Sequence, residues 1–129
     1  MKKITNETEE KREKTYKTVN LDYLHEVSNG NKKFIRDMIK LFLAEVPEEL
    51  NTLERTIHEK DFDGIRESAH KLKSSIPFVG LDRIIRNELS EIERLGAEGE
   101  NQERIVSLFS KVKQTCGDAI AELQEQHPE

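Results

Sequence analysis

The sequence predicts an all-α fold, an antiparallel four-helix bundle with an additional short N-terminal helix. Three observations lead there. Apolar residues recur at three- and four-residue spacing in long runs, short polar turns separate those runs, and no run alternates with the period of two that a strand requires. Long amphipathic helices with short connections bury their apolar stripes against one another as an antiparallel bundle. The stripes are broad, as a bundle needs, and hold no strict heptad long enough for an extended coiled coil.

The elements follow in chain order. Residues 1–18 are rich in Lys, Glu and Thr and nearly free of large apolar side chains. Such a stretch cannot offset its ordering entropy by burial, so it reads as a disordered or weakly helical leader, or as a linker from an upstream domain. Residues 19–126 read as the bundle. Leu21, Leu24 and Val27 share one face of a short first helix, and Ser28-Asn29-Gly30-Asn31 stops it, with Asn31 able to cap the next. Phe34, Met38, Phe42, Val46, Leu50, Leu53 and Ile57 form a long stripe, broadened by Ile35, Ile39, Leu41 and Leu43. Pro47 lies inside it, which predicts either a kink or a break followed by a new helix.

Asp61 is a good N-cap for the third long segment, whose stripe is Phe62, Ile65, Ala69, Leu72 and Ile76. Pro77 should bend this helix and Gly80 should end it in a left-handed conformation. Leu81, Ile84, Ile85, Leu89, Ile92 and Leu95 form the next stripe, which Gly96 is expected to stop. Asn101 is a plausible cap for the last, made by Ile105, Leu108, Phe109, Val112, Cys116, Ile120 and Leu123.

Composition narrows the function. A chain of 129 residues fits one domain plus a tail. The net charge of -5, with Lys and Arg interspersed among Asp and Glu, lacks the basic footprint of a nucleic-acid binder. No window approaches the roughly 18–20 apolar residues of a membrane span, and Met1-Lys2-Lys3-Ile4-Thr5-Asn6-Glu7 lacks the apolar core of a secretory signal. A single cysteine, Cys116, cannot form an internal disulfide, which suits a reducing cytosol. Its place on an apolar stripe makes it a small core residue rather than a redox thiol. His25, His58 and His127 have no metal-like spacing with one another or with His70, so no metal site is expected. The sequence holds no Gly-rich phosphate loop and no kinase signature, so the domain is not expected to bind ATP.

The third long helix carries the information. At about 100° per residue, its apolar side chains fall within an arc of roughly 80°, and His70 lies about 120° from the centre of that arc. His70 should therefore face solvent while Ala69 packs inside. Arg66 and Ser74, four residues to either side, and Lys73, three residues on, share its face. A neutral imidazole is a competent nucleophile toward phosphorus, and a neighbouring Lys or Arg can donate charge-assisted hydrogen bonds to phosphoryl oxygens.

Ala69-His70-Lys71-Leu72-Lys73-Ser74-Ser75, followed by Gly80-Leu81, resembles the signature of the histidine-containing phosphotransfer (HPt) domains. Leu72, Lys73 and Gly80 stand where that family has an aliphatic residue, a lysine and the closing glycine. Asp61-Phe62 resembles its Asp-aromatic helix start, and Phe34 through Phe42 with Pro47 beyond resembles the preceding helix. The resemblance covers about residues 20–125. It implies a cytoplasmic, monomeric phosphorelay carrier in a two-component system. His70 would accept a phosphoryl group from the aspartate of a response-regulator receiver domain and pass it to another receiver, with Lys73 stabilising the phosphoryl group. Arg66, Ser74 and Leu24 would contact the partner, and a hybrid histidine kinase is a further candidate partner. Such a carrier is not itself an enzyme. It binds no cofactor, Mg²⁺ being expected in the receiver, and touches neither nucleic acid nor membrane.

Two positions depart from the pattern. Ser74 stands where the family commonly has Gly, and Pro77 follows His70 by seven residues, where its ring would clash with the Lys73 carbonyl in a continuing helix. Both favour the rival expectation, a non-phosphorylated helical-bundle adaptor that binds a signalling partner. A metal-free histidine enzyme ranks below both, because no orienting carboxylate or oxyanion site is legible.

Overall fold

The computed structural model describes residues 16–126; residues 1–15, hence most of the expected leader, and His127 lie outside the described residues. Five α-helices follow in order: α1 (Asp22–Ser28), α2 (Lys32–His58), α3 (Phe62–Ser75), α4 (Asp82–Glu98) and α5 (Gln102–Gln126), with a 3-10 turn at Ile76–Val79. No strand occurs among the described residues. The bundle closes in cyclic order, α3 packing on α2 and α4, and α5 on α4 and α2. The short α1 lies outside this ring, against α2 and the 3-10 turn. None of the helices is long and apolar enough to cross a membrane.

Local chemistry sets the helix ends. The Asn31 side chain accepts from Phe34 N at 3.0 Å, and the Asp61 side chain from Gly64 N at 3.0 Å, so both expected caps form. Asn101 holds the first turn of α5 through its carbonyl, which accepts from Ile105 N, while its own φ is +67°.

Of the two outcomes foreseen at Pro47, a break followed by a new helix does not occur. Pro47 lacks an N–H, yet α2 runs through it as one helix of 27 residues. Buried Val46, Leu50 and Leu53 on either side hold the helix against the core.

Several sequence expectations are corrected. On α2 the core takes Ile35 and Ile39, while Phe34 and Leu41 are exposed and Met38 is half-buried. The buried row thus starts one residue later than the stripe read from Phe34. Val27, assigned to the buried face of α1, is also exposed. α3 stops at Ser75 rather than at Gly80, because Pro77 lies in the first turn of the 3-10 segment. Pro77 has no N–H to donate to the Lys73 carbonyl four residues back, so the α-helical pattern does not continue through it. Gly80 is left-handed, with φ +78°, at the end of the 3-10 turn.

Gly96 does not end α4, which continues to Glu98 and is closed by left-handed Gly99. It is a contact glycine: a Cβ there would lie 2.9 Å from Arg66 N and 3.0 Å from Phe62 O. Nothing larger than hydrogen lets the α3 and α4 backbones come this close. Finally, residues 16–18, assigned to the leader, lie against the bundle, where the Glu122 carboxylate accepts from Thr18 N.

Cys116 is buried among α5 core positions, and burial, with the Glu49 charge as a second cause, pushes its thiol up to about 12. A thiol that stays protonated at neutral pH is a poor nucleophile.

Candidate functional site

Asp61 starts α3, and burial of one row of side chains sets the helix's rotation. Ile65, Ala69, Leu72 and Ile76 are fully buried. The same rotation turns His70 outward, and its side chain is 64% exposed. The antiparallel α4 then supplies partners in order: Gly96 seats on Phe62 and Arg66, Glu93 reaches His70 and Lys73, and Ser90 reaches Lys73. The close approach at Gly96 brings this polar row within bonding distance.

Glu93 is the hub. Its Oε2 lies 3.0 Å from His70 Nδ1 and its Oε1 lies 2.8 Å from Lys73 Nζ. Lys73 Nζ also faces Ser90 Oγ at 3.4 Å. The Lys73 ammonium, with a smaller contribution from His70, holds the Glu93 carboxyl below its usual range against the opposing effect of partial burial. An ionised carboxylate only accepts, so His70 Nδ1 is the donor in this contact. In the neutral ring the lone pair is then on Nε2, which has no hydrogen-bond partner among the described residues. A fixed tautomer with an outward-facing, unprotonated nitrogen is the form in which imidazole attacks an electrophile.

The other residues singled out from the sequence sort differently. Lys73 joins His70 through Glu93, and its side chain is only 27% exposed. Arg66 is on the same face, but its guanidinium lies 3.7 Å from Glu67 rather than against His70. Ser74 Oγ donates to the His70 carbonyl at 3.2 Å, so the hydroxyl folds back onto its own helix. Leu24 is fully buried and anchors α1; the apolar side chains that α1 turns outward are Tyr23 and Val27. The expectation of direct partner contact by Leu24 is therefore corrected.

Glu93 and Ser90 were missed in the sequence, where no orienting carboxylate was legible. The available signal was Gly96, a small residue within a helix and three positions beyond Glu93. Read as a close-contact glycine rather than a stop, it would have placed Glu93 beside α3.

Two further surface features stand out. Tyr23, Val27, Phe34 and Leu41 are exposed apolar side chains, and the ring centroid of Tyr23 is 6.3 Å from that of half-buried Phe78. Glu45, Glu48 and Glu49 of α2 line an acidic groove together with Lys71 of α3. Glu49 is nearly buried there and accepts from Ser75 Oγ at 3.0 Å; burial raises its carboxyl. Among the described residues no group of three or more His, Cys, Asp or Glu is placed to hold a metal ion.

Neither a comparison with curated proteins nor one with solved structures found a match. The family model of the Hpt domain, by contrast, matches residues 37–126, a stretch that contains all of α3, α4 and α5 and most of α2. Hpt domains are helical bundles and phosphotransfer carriers of phosphorelay signalling. With its helical bundle, and with the match running over more than half of its length, this chain belongs to the Hpt domain family.

Proposed function

We propose that His70 is the phosphoryl acceptor of this domain, taking a phosphoryl group from a receiver-domain aspartate and passing it to a second receiver. The observation that carries this reading is the His70–Glu93 contact, which commits Nδ1 as donor and leaves Nε2 outward and unpartnered. In the transfer, Nε2 attacks phosphorus, a P–N bond forms, and the P–O bond to the aspartate breaks as the aspartate leaves as a carboxylate. The ring gains positive charge while Nδ1 keeps its proton, and the Glu93 carboxylate stabilises that charge across a short hydrogen bond. The reverse sequence delivers the group to the next receiver.

Lys73 starts from an ion pair with Glu93, and a rotation of its flexible stem would bring the ammonium to the phosphoryl oxygens. This chain provides the nucleophile and the docking face, and binds no cofactor of its own. The receiver provides Mg²⁺ and the remaining catalytic groups, so the domain is a carrier rather than an enzyme. The receiver would dock over His70, Lys73 and Ser74, with Arg66 at the rim and Tyr23, Val27 and Phe78 giving apolar contact. Relay contacts are transient, which fits a total interface of about 1,200 Å² or less. We take the domain to act as a monomer in the cytoplasm, and its net charge of -5 fits a carrier that does not bind nucleic acid.

The test is to mix the domain with phosphorylated receiver and Mg²⁺ and look for an acid-labile, base-stable phosphoryl group. His70→Gln should abolish uptake and leave stability within about 0.5 kcal/mol, as surface substitutions do. Receiver binding with no phosphoryl uptake by the wild type would favour the non-phosphorylated adaptor.

A further inference from the structure

Residues 16–21 run without helical structure across one end of the bundle, and their backbone is tied at three places. On α5, the Glu122 carboxylate accepts from Thr18 N at 3.0 and 3.1 Å and from Val19 N at 3.1 Å. On α4, Arg83 Nη2 donates to the Thr18 carbonyl at 2.7 Å. On the 3-10 turn, the Val79 carbonyl accepts from Asn20 N at 2.9 Å. Val19 is buried, and a Cβ on left-handed Gly80 would lie 2.6 Å from Asn20 O, so that glycine is what lets the segment lie flat. Burial and the Glu122 charge raise the Tyr16 phenol, which places this carboxylate beside a half-buried ring. Asn20 Oδ1 then accepts from Asp22 N at 2.8 Å and starts α1.

An isolated helix of seven residues is far below the length at which helices persist in water. α1 has one fully buried side chain, Leu24, and packs on α2 and the 3-10 turn. Its register therefore depends on what precedes it. The family match begins at residue 37, so this segment and α1 lie outside it.

We propose that residues 16–20 are a strap, clamped by Glu122 and Arg83, that holds α1 in place as part of the receiver-docking face. Glu122 is then a positioning residue for partner recognition, acting from the far end of α5 without touching His70. The proposal rests on the docking reading above.

The test separates docking from chemistry in the full chain. Glu122→Ala removes the acceptor, Glu122→Gln keeps one acceptor oxygen, and Arg83→Ala removes the second clamp. Three readouts are taken: amide exchange in α1, affinity for a receiver domain with Mg²⁺, and labelling by phosphoramidate, a small phosphoryl donor that needs no docking. Glu122→Ala and Arg83→Ala should speed exchange in α1 by about tenfold or more while α3 and α4 keep their protection. Both should weaken receiver affinity by about three- to tenfold, against an unchanged phosphoramidate rate. Glu122→Gln should recover most of the affinity. Unchanged α1 exchange would overturn the strap. Faster α1 exchange with unchanged receiver affinity would overturn its role in docking, as would an equal fall in both labelling and affinity. A wild type that phosphoramidate cannot label at His70, yet with α1 responding as described, would instead count against His70 as acceptor and leave the strap standing.

Discussion

The seam between α3 and α4 and the edge formed by α1 hold their residues in opposite ways. In the seam, Gly96 brings two long helices to backbone contact, and Glu93 spans the gap with one oxygen on His70 and the other on Lys73. At the edge, a seven-residue helix rests on one fully buried leucine and on an N-terminal segment tied by hydrogen bonds. In the proposed transfer the seam fixes the atoms that would meet a phosphorus within tenths of an ångström, and a packed helix pair gives that precision. The edge presents Tyr23 and Val27, for which a looser hold suffices, because an apolar contact tolerates small shifts that a bond-forming geometry does not.

Breaking the seam should therefore harm transfer most. Glu93→Leu removes the acceptor for Nδ1–H and frees the ring tautomer. A charge-assisted hydrogen bond is worth about 1.5–3 kcal/mol, so transfer should slow by about 10- to 100-fold in single-turnover assays. Lys73→Ala should slow it by about 10-fold, at the lower end of that range. Equal rates in Glu93→Leu and wild type would mean that the seam does not prepare the imidazole.

Spreading the seam rather than deleting its charge is the next test. Gly96→Val places side-chain carbon against the Arg66 and Phe62 backbone and should cost about 1–3 kcal/mol in a denaturant titration. Gly117 of α5 is the control, since a Cβ there meets nothing within 4 Å. Gly117→Ala should stabilise by up to about 1 kcal/mol through helix propensity alone. Similar responses at the two glycines would remove close approach as the reason for Gly96.

Acid should loosen the seam in a defined window. Glu93 has its folded-state pKa lowered from 4.5, chiefly by Lys73, so the unfolded chain binds its proton more readily. Its contribution to stability is fully present above the unfolded value and is lost as pH falls through the lower folded value. Glu49 carries the opposite sign: burial raises its folded pKa above 4.5, so the cost of its charge appears as pH rises through that region. The stability gap between wild type and Glu93→Gln should therefore be steady near neutrality and shrink below about pH 4.5. A gap that widened on acidification would contradict this sign.

The smallest effect is expected at Ser74, which adds bulk on the proposed docking side without joining the Glu93 network. Ser74→Gly should speed transfer from a generic receiver by steric relief, at a cost of up to about 1 kcal/mol in helix stability. Slower transfer with the helix intact would show that the hydroxyl takes part.

Helix number, most of the core and the outward direction of His70 were legible in the sequence, because each depends on periodicity within one segment. The Asp61 cap and the Ile65, Ala69, Leu72 and Ile76 row were enough to orient α3. What depended on the register between segments was not legible. Glu93 is 23 residues from His70 and becomes its partner only once α4 is aligned antiparallel on α3. Gly96 looked like a stop because intrinsic propensity favours that reading, and packing overrode it. Residues 16–18 looked like leader because their burial is slight, and hydrogen bonds to α5 and α4 hold them instead.

The central claim is that the fixed imidazole carries the phosphoryl group on Nε2. Long-range proton–nitrogen NMR of ¹⁵N-labelled protein, before and after phosphorylation by a receiver, tests it most directly. Before reaction, His70 should be seen with its proton on Nδ1; afterwards the phosphoryl group should reside on Nε2 with Nδ1 still protonated, while His25 and His58 stay unchanged. Phosphorylation at Nδ1 of His70, at another histidine, or not at all, would contradict the account.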